Sequence, residues 1–523
     1  MDSAETIPPV LARRIGLILG PLVAATLWWG PWLSLAIDAE RPELNRMAAV
    51  AALMALWWLT DAIPMAVTGL LPLVLLPAAH IMPVDAVAAN YGSSVLYLFL
   101  GGFLVALAVE GSGLHERVAL AIVSRIGHSP RRLLLGFMLA TAVLSMWLSN
   151  TATTMMMLPI ALSVVGGVSR GASTGPRSPL AVALMLAIAY SASIGGFATL
   201  IGTPTNVQFR QLYQLQFGPA APPISFGGWM VLAVPLSLTF LIGAWLLLGW
   251  FIFPLGTQRL VGDPHTLDRA RAALGPLREA ERRAAVVFLM TALLWIFREP
   301  VTGWGWAAWL GLGRQADGTT LIDDATVAVA MAVVCFLIPA SGRRGPALLS
   351  WRDTERVPWG VLLLFGGGLA LADGLQQTGL DAELGARFGH LLTGWPILAM
   401  IGATSTGMTF FTELTGNVPC VNMSMPVLAS LAQNLGCDPR LLMVPAALSA
   451  SCAFMLPVST PPNAIVFGSG HVRLAEMVRA GIWLNLLGIA LVVLFTVLVG
   501  PWALGIQTEG LPAWAAPPPL ELP

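Results

Sequence analysis

The segment Leu144-Ser145-Met146-Trp147-Leu148-Ser149-Asn150-Thr151-Ala152-Thr153-Thr154 decides how this chain is read. It interrupts an apolar stretch running from Leu133 to Val168 with a cluster of hydroxyl and amide side chains. The next apolar stretch, from Leu180 onward, is broken in turn by Gly202-Thr203-Pro204-Thr205-Asn206. In the second half, Thr415-Gly416-Asn417-Val418 breaks one apolar stretch and Ser459-Thr460-Pro461-Pro462-Asn463 breaks the next. In hydrocarbon every backbone polar group needs a partner, so non-helical backbone at membrane depth is tolerated only where it is buried in protein or lines a wet cavity. Four breaks therefore predict a site.

The surroundings of the breaks predict a membrane. Of 523 residues, 56% are hydrophobic and only 10% charged, and the mean hydropathy is +0.78. Such a chain has too little charged surface to cover a soluble protein. Apolar runs near 15–37, 47–60, 64–82 and 93–112 precede the first break. Further runs lie near 230–256, 284–297, 324–340, 359–376 and 482–504. At about 20 residues per crossing they fit an all-α polytopic membrane protein of about 11 transmembrane helices plus two re-entrant hairpins. They are too long, and alternate too little, for the strands of a barrel. Arg13 and Arg14 lead straight into the first run, which reads as a span and not as a cleavable signal. Cys335, Cys420, Cys437 and Cys452 have no metal-type spacing and read as packing residues. With 27 basic and 27 acidic residues the net charge is zero, against a nucleic-acid partner, which requires a basic face.

The two pairs of breaks belong to an internal repeat. Gly101-Gly102 matches Gly366-Gly367, Asn150 matches Asn417, Pro159 matches Pro426 and Asn206 matches Asn463, in one order and at offsets of 265, 267, 267 and 257. The chain has no lysine, so its 27 basic residues are all arginine. With Arg13 and Arg14 in the cytoplasm and each hairpin returning to its own side, 20 of the 27 arginines fall inside. An odd number of crossings then separates Asn150 from Asn417, which makes the halves inverted repeats. The N-terminus is expected in the cytoplasm and the C-terminus outside.

Discontinuous helices at corresponding places in two inverted halves point to the substrate and ion site of a transporter. A helix start offers N–H groups and partial positive charge to an anion. Ser149, Asn150 and Thr151 can ligate a small hard cation through oxygen and donate to a carboxylate. Thr203, Asn206, Thr412, Thr415, Asn417, Ser459, Thr460 and Asn463 extend that chemistry to the other breaks, whereas lone hydroxyls such as Thr141 and Ser163 read as interhelical hydrogen-bonders. No arginine lies within the four motifs. An anion held there must be balanced by helix ends and co-bound cations. Asp61, Glu110, Asp373 and Glu413 are acidic residues in or near apolar stretches. Glu413, beside the second hairpin motif, is expected to orient it, and Asp61 and Asp373 to sit near span ends. The Arg259 to Arg283 connector reads as an amphipathic surface helix. An intramembrane enzyme is not expected, since no His-Glu-x-x-His or Gly-x-Ser-x-Gly pattern occurs.

Ser149-Asn150-Thr151-Ala152-Thr153-Thr154 and Thr460-Pro461-Pro462-Asn463-Ala464-Ile465-Val466-Phe467-Gly468 resemble signatures of the divalent anion/sodium symporters, which include bacterial and animal di- and tricarboxylate carriers. The resemblance implies a homodimer in the lipid bilayer of the cytoplasmic membrane, working as an elevator-type transporter that carries a dicarboxylate with sodium. It implies a scaffold from residues 1–130 and 284–395, a transport domain from 131–257 and 396–505, a connector at 258–283 and an extracytoplasmic tail at 506–523. One sodium site would use Ser145, Ser149, Asn150 and the backbone of Gly202. The other would use Thr412, the backbone of Thr415, Asn417 and the backbone of Ser459. Asn150, Thr151, Thr203, Asn417, Thr460 and Pro461 would face the substrate, expected to be a C4-dicarboxylate such as succinate, malate or fumarate. Gly416 and Pro419 depart from the usual second hairpin, and Thr205 replaces the commoner second proline of the first broken helix. These departures leave open sulfate or another divalent anion, and sodium-independent exchange.

Overall fold

The computed structural model describes residues 9–30, 37, 41–127, 129–169, 178–256, 266–299, 305–313, 315 and 320–516. Among them the chain is helical, with one isolated β-bridge between Pro339 and Ala347. α1 (Pro9–Trp28) and α2 (Pro42–Thr60) pack together. The short α3 (Met65–Thr68), α4 (Pro72–Ala78) and α5 (Val84–Asn90) lead into α6 (Ser94–Ser112). Then come α7 (Leu114–Ile126), α8 (Pro130–Ser145), α9 (Asn150–Ser169), α10 (Pro179–Gly196), α11 (Pro204–Phe217) and α12 (Phe226–Leu246). The middle of the chain forms α13 (Thr266–Ala273), α14 (Glu279–Ile296), α15 (Trp306–Trp309) and α16 (Asp324–Leu337). After it follow α17 (Trp359–Thr378), α18 (Leu380–Leu392), α19 (Ile397–Thr415) and α20 (Asn417–Asn434). The chain continues through α21 (Arg440–Ser449), α22 (Pro461–Gly468), α23 (Leu474–Leu498) and α24 (Gly500–Leu504).

The order α6 to α12 recurs as α17 to α23. In each half a long helix turns into an amphipathic one through a single left-handed glycine, Gly113 (φ 84°) or Gly379 (φ 75°). A helix–break–helix hairpin follows, then a broken helix, then a full-length apolar helix. α10 and α21 are buried on every side from Leu180 and Arg440 onward, which explains why they are apolar all round instead of amphipathic. They form the centre of a bundle with both hairpins, α12 and α23. α6, α14 and α16 pack on one another as a separate group.

Among the described residues six helical segments are long and apolar enough to cross a membrane: 84–112, 179–196, 226–252, 359–378, 397–415 and 474–498. Four shorter apolar ones, 65–78, 150–165, 324–337 and 440–449, accompany them. Several boundaries differ from the sequence expectation. The expected run 15–37 overlaps α1 (Pro9–Trp28), with residues 31–36 outside the described residues, and the second run begins five residues early because Pro42 fits the first helical position. The run 64–82 is interrupted between α3 and α4. The connector is not one amphipathic helix. α13 stops before Gly275 (φ 63°) and Pro276, and Glu279 already begins α14. Arg170, Arg177, Arg259 and tail residues 517–523 lie outside the described residues. All four cysteines are free and buried.

Gly101 and Gly102 are neighbours with opposite surroundings. A Cβ on Gly101 would sit 2.5 Å from the carbonyl carbon of Ala328 in α16, whereas one on Gly102 would meet nothing within 4 Å. Gly101→Ala should therefore destabilise by about 1–3 kcal/mol through overpacking. Gly102→Ala should be neutral or stabilise by up to about 1 kcal/mol through helix propensity. Thermal unfolding of the purified variants in detergent compares them.

Candidate functional site

α8 ends at Ser145 and α9 begins at Asn150, so four residues lie between two helix ends. The Ser149 hydroxyl accepts from the Ala152 N–H (3.2 Å) and its carbonyl from the Thr153 N–H (3.0 Å), which caps α9. The Asn150 side chain meets three oxygens. Its amide nitrogen donates to Ser145 Oγ (2.7 Å), Ala192 O (3.0 Å) and Gly202 O (3.3 Å). Ser145 Oγ also donates to Ala192 O (2.8 Å). The broken helix α10–α11 is stitched by Asn206, whose Nδ2 donates to Phe197 O (3.1 Å) and Thr199 O (2.7 Å). Thr199 Oγ1 donates to Met146 O and accepts from the Gly202 N–H, tying this break to the hairpin.

The second half repeats the pattern. Thr412 Oγ1 donates to Asn417 Oδ1 (3.0 Å) and to Ala450 O (2.8 Å). Asn463 Nδ2 donates to Ala453 O and Leu456 O, both at 3.0 Å. Thr412 lies between Asn417 and the Ala450 carbonyl as Ser145 lies between Asn150 and the Ala192 carbonyl, with the Asn–hydroxyl bond running the other way, and Asn463 bridges two carbonyls as Asn206 does. One element has no counterpart. The Glu413 carboxylate accepts from three consecutive N–H groups, Phe454 (2.7 Å), Met455 (2.8 Å) and Leu456 (3.1 Å), and from Asn485 Nδ2 (2.9 Å). It anchors the unwound segment of the second broken helix and not the hairpin motif alone. At the matching place in the first half stands Met146, and the Thr199 hydroxyl does the holding. The halves meet where Thr205 Oγ1 and Ser451 Oγ lie 2.8 Å apart.

Both repeats face one cavity of about 1310 Å³. Nine of the twelve expected residues line it: Ser149, Asn150, Thr151, Gly202, Thr203, Asn417, Ser459, Thr460 and Pro461. Ser145, Thr412 and Thr415 are buried behind them, at 0, 0 and 3% exposure. The first residues of four helices, Asn150, Pro204, Asn417 and Pro461, lie on the same wall. Phe99, Phe103 and Leu107 of α6 form another part of the lining, and Glu110, His115, Glu116 and Arg356 line it beyond them. Glu110 forms an ion pair with Arg356. At this size the cavity exceeds the ~300–1,000 Å³ that encloses a drug-sized ligand, so it is a vestibule leading to the motifs.

The wall suits anions and hard cations together. Four helix starts supply partial positive charge. Ser145 Oγ, Ala192 O and Gly202 O surround one end of the Asn150 amide, and turning that amide over would bring a fourth oxygen to the cluster. Neutral oxygens of this kind suit a hard cation and not a soft one. The Asn206 and Asn463 Oδ1 atoms are buried and reached by no protein donor.

Of the other residues singled out from sequence, Asp61 ends α2 in the left-handed region (φ 47°), and Asp373 accepts from Asn90 Nδ2 (3.0 Å) near the end of α17. Thr141 bonds Phe137 O within its own helix, and Ser163 lines the vestibule. The Ala192 and Ala450 carbonyls gave no sequence signal because they are backbone. Thr199 looked like an ordinary hydroxyl.

Broken helices from two repeated halves that converge on one vestibule define a membrane transporter. The chain belongs to the family described as the sodium:sulfate symporter transmembrane region, which matches residues 37–506. A relative from Staphylococcus saprophyticus named sodium-dependent dicarboxylate transporter SdcS is 40% identical over 510 residues, covering 96% of this chain and 94% of its own. The protein of the same name from Staphylococcus aureus is 39% identical over 513 residues, covering 97% and 94%. Two solved structures share the fold at low identity. They are the Alcanivorax borkumensis YdaH transporter (TM-score 0.54, 15% identity, 79% of this chain and 87% of that one) and Neisseria gonorrhoeae MtrF (TM-score 0.53, 11%, 82% and 85%).

Glu413→Gln tests the anchor. An amide can accept at one end only, so at least one of the three N–H groups faces a donor. Leaving a buried donor unsatisfied costs about 1–3 kcal/mol, which a lowered thermal midpoint in detergent would register. Glu413→Asp, which keeps the charge but shortens the reach, should lose less.

Proposed function

We propose that the protein is a sodium-coupled symporter that imports C4-dicarboxylates such as succinate, malate and fumarate across the cytoplasmic membrane. Sodium binds at the Ser145–Asn150 cluster, with Ser149 and the Gly202 backbone, and at the Thr412–Asn417 cluster, with the Thr415 and Ser459 backbones. Asn150, Thr151, Thr203, Asn417, Thr460 and Pro461 face the substrate. The observation that carries this reading is the convergence on one cavity of four helix starts with two matching sets of neutral oxygens, with no arginine in the four motifs. The naming of the 40% identical relative as a sodium-dependent dicarboxylate transporter supports the substrate class.

The energetics explain the coupling. A helix start contributes up to about 2 kcal/mol to an anion in a favourable, partly buried position. Desolvating an ion costs several kcal/mol, and a dicarboxylate pays this twice. Four helix starts at that upper limit come to about 8 kcal/mol, no more than the order of the cost, so co-bound cations supply the margin. Two sodium ions beside the substrate cancel its formal charge, so the anion binds after the cations. In the proposed cycle the hairpins and broken helices form a transport domain (131–257 and 396–505) that slides, elevator-fashion, along a scaffold (1–130 and 284–395) within a homodimer. The connector (258–283) joins them. The halves are inverted repeats, the N-terminus lies in the cytoplasm and the tail (506–523) outside.

Reconstituted protein should take up labelled succinate under an inward sodium gradient, and replacing sodium with choline should abolish uptake. Uptake indifferent to sodium would remove the coupling. Excess unlabelled malate or fumarate should compete and sulfate should not; the reverse order would move the substrate class to sulfate. Asn150→Ala and Asn417→Ala should each reduce uptake by about tenfold or more, as loss of a metal-site partner does, while the protein still elutes as a folded species. Wild-type uptake by either variant would displace the site.

A further inference from the structure

A second, smaller cavity of about 310 Å³ borders a buried ion cluster that includes Arg210, one turn beyond Asn206 on α11. Asp324, the first residue of α16, is gripped from two sides: Arg298 Nε donates to its Oδ1 (2.6 Å), and Arg210 Nη1 pairs with its Oδ2. The side chains are 1% (Asp324), 2% (Arg298) and 8% (Arg210) exposed. The two arginines belong to different parts of the molecule. Arg298 follows α14, donates to Ile322 O (3.1 Å) and pairs with Glu299 (2.7 Å), while Trp295 Nε1 holds the Asp324 carbonyl (2.9 Å). Arg298, Asp324 and Glu299 are therefore fixed within the α6–α14–α16 group. Arg210 sits on α11, whose first residue lines the vestibule and which packs chiefly on α20 and α21.

The vestibule runs from Phe99 toward the end of α6, and the cluster lies by the start of that helix. Val95 and Leu98 of α6 border it, whereas Leu107 and Glu110 of the same helix line the vestibule. Val95 and Glu110 are about 22 Å apart at 1.5 Å rise per residue. On the vestibule side the first hairpin packs on α7 through α8, while Met155 of α9 lines the vestibule and is 60% exposed. The second hairpin is seated: α20 packs on α17 and α18, and its Asn422 is fully buried against Gly368.

We infer that Arg210 and the fixed Asp324–Arg298 pair form a latch that holds the motif-bearing bundle at the vestibule-open end of its travel. The inference rests on the transport reading proposed above. When the bundle moves, Arg210 leaves with α11 while Asp324 keeps Arg298, so the buried carboxylate is never left without a counter-charge. The unpaired charge is Arg210 alone, and the side it faces is the one that then opens to water. The latch therefore releases only together with opening of that end, which disfavours intermediates closed at both ends.

Single-cysteine reporters test this. Met155→Cys reports the open vestibule and Asn422→Cys the opposite face, each read as the rate of alkylation by a water-soluble maleimide against protein without an added cysteine. Arg210→Gln should slow labelling at 155 and speed it at 422, each severalfold. Unchanged rates at both positions overturn the latch. If Arg210→Gln is not monodisperse, Arg210→Lys keeps the charge but loses the fork, and should shift both rates in the same directions by less; no shift there overturns the latch equally. Sodium-dependent binding of labelled succinate, measured on the same samples, separates the two readings. Binding retained with labelling unchanged sinks the latch alone, whereas no sodium-dependent binding by the parent protein sinks the transport reading beneath it.

Discussion

The structure depends on keeping unwound backbone paired where water is scarce. Each break frees N–H and carbonyl groups that a continuous helix would have used, and an unsatisfied group in hydrocarbon costs several kcal/mol. The chain meets this with a few side chains acting as substitute backbone. Asn206 and Asn463 each take two carbonyls, Thr199 takes one and serves one N–H, and Glu413 takes three N–H groups. The remaining oxygens then face the hairpins in a fixed arrangement. Carbonyls that a helix would have hidden become part of the wall.

The same constraint explains why charge is so sparse around the motifs. A guanidinium there would pair with the freed carbonyls and collapse the arrangement, and without an anion it would stand as an uncompensated charge. Neutral oxygens and helix starts carry only partial charges, so the wall persists in either condition. Several buried full charges have partners of their own: Arg298 with Asp324, Arg440 with Asp438, and Glu413 with its four donors. The exception to complete symmetry is Glu413, which puts a full negative charge behind the second unwound segment while Met146 occupies that place in the first.

Much of this architecture could be read from residue types. The four breaks, the repeat and the vestibule-lining residues are announced by polar clusters inside apolar runs, and a helix start with proline, as at Pro204 and Pro461, is a local signal. Other parts could not be read. The split of 64–82 into α3 and α4 depends on a close approach of Gly69 to α17, which only the fold brings together. Ser145 and Thr412 look like any hydroxyl in a helix, and what sets them apart is the carbonyl of Ala192 or Ala450, 47 and 38 positions away. Arg210, Arg298 and Asp324 are far apart in sequence, and their charges would suit a loop as well as a buried cluster.

The contact between Thr205 and Ser451 has a consequence for the order of events. It is a hydroxyl pair at the seam of the repeats, with Thr205 next to Asn206 of one stitch and Ser451 next to the Ala450 carbonyl of the other cluster. On the proposed function, a cation that displaced the oxygens of one cluster would displace the seam, and through it the other cluster. Any such linkage is reciprocal: whatever factor occupancy of one cluster lent to the affinity of its twin, it would receive back in equal measure. Its sign would be read in a sodium dependence steeper or shallower than that of two separate sites.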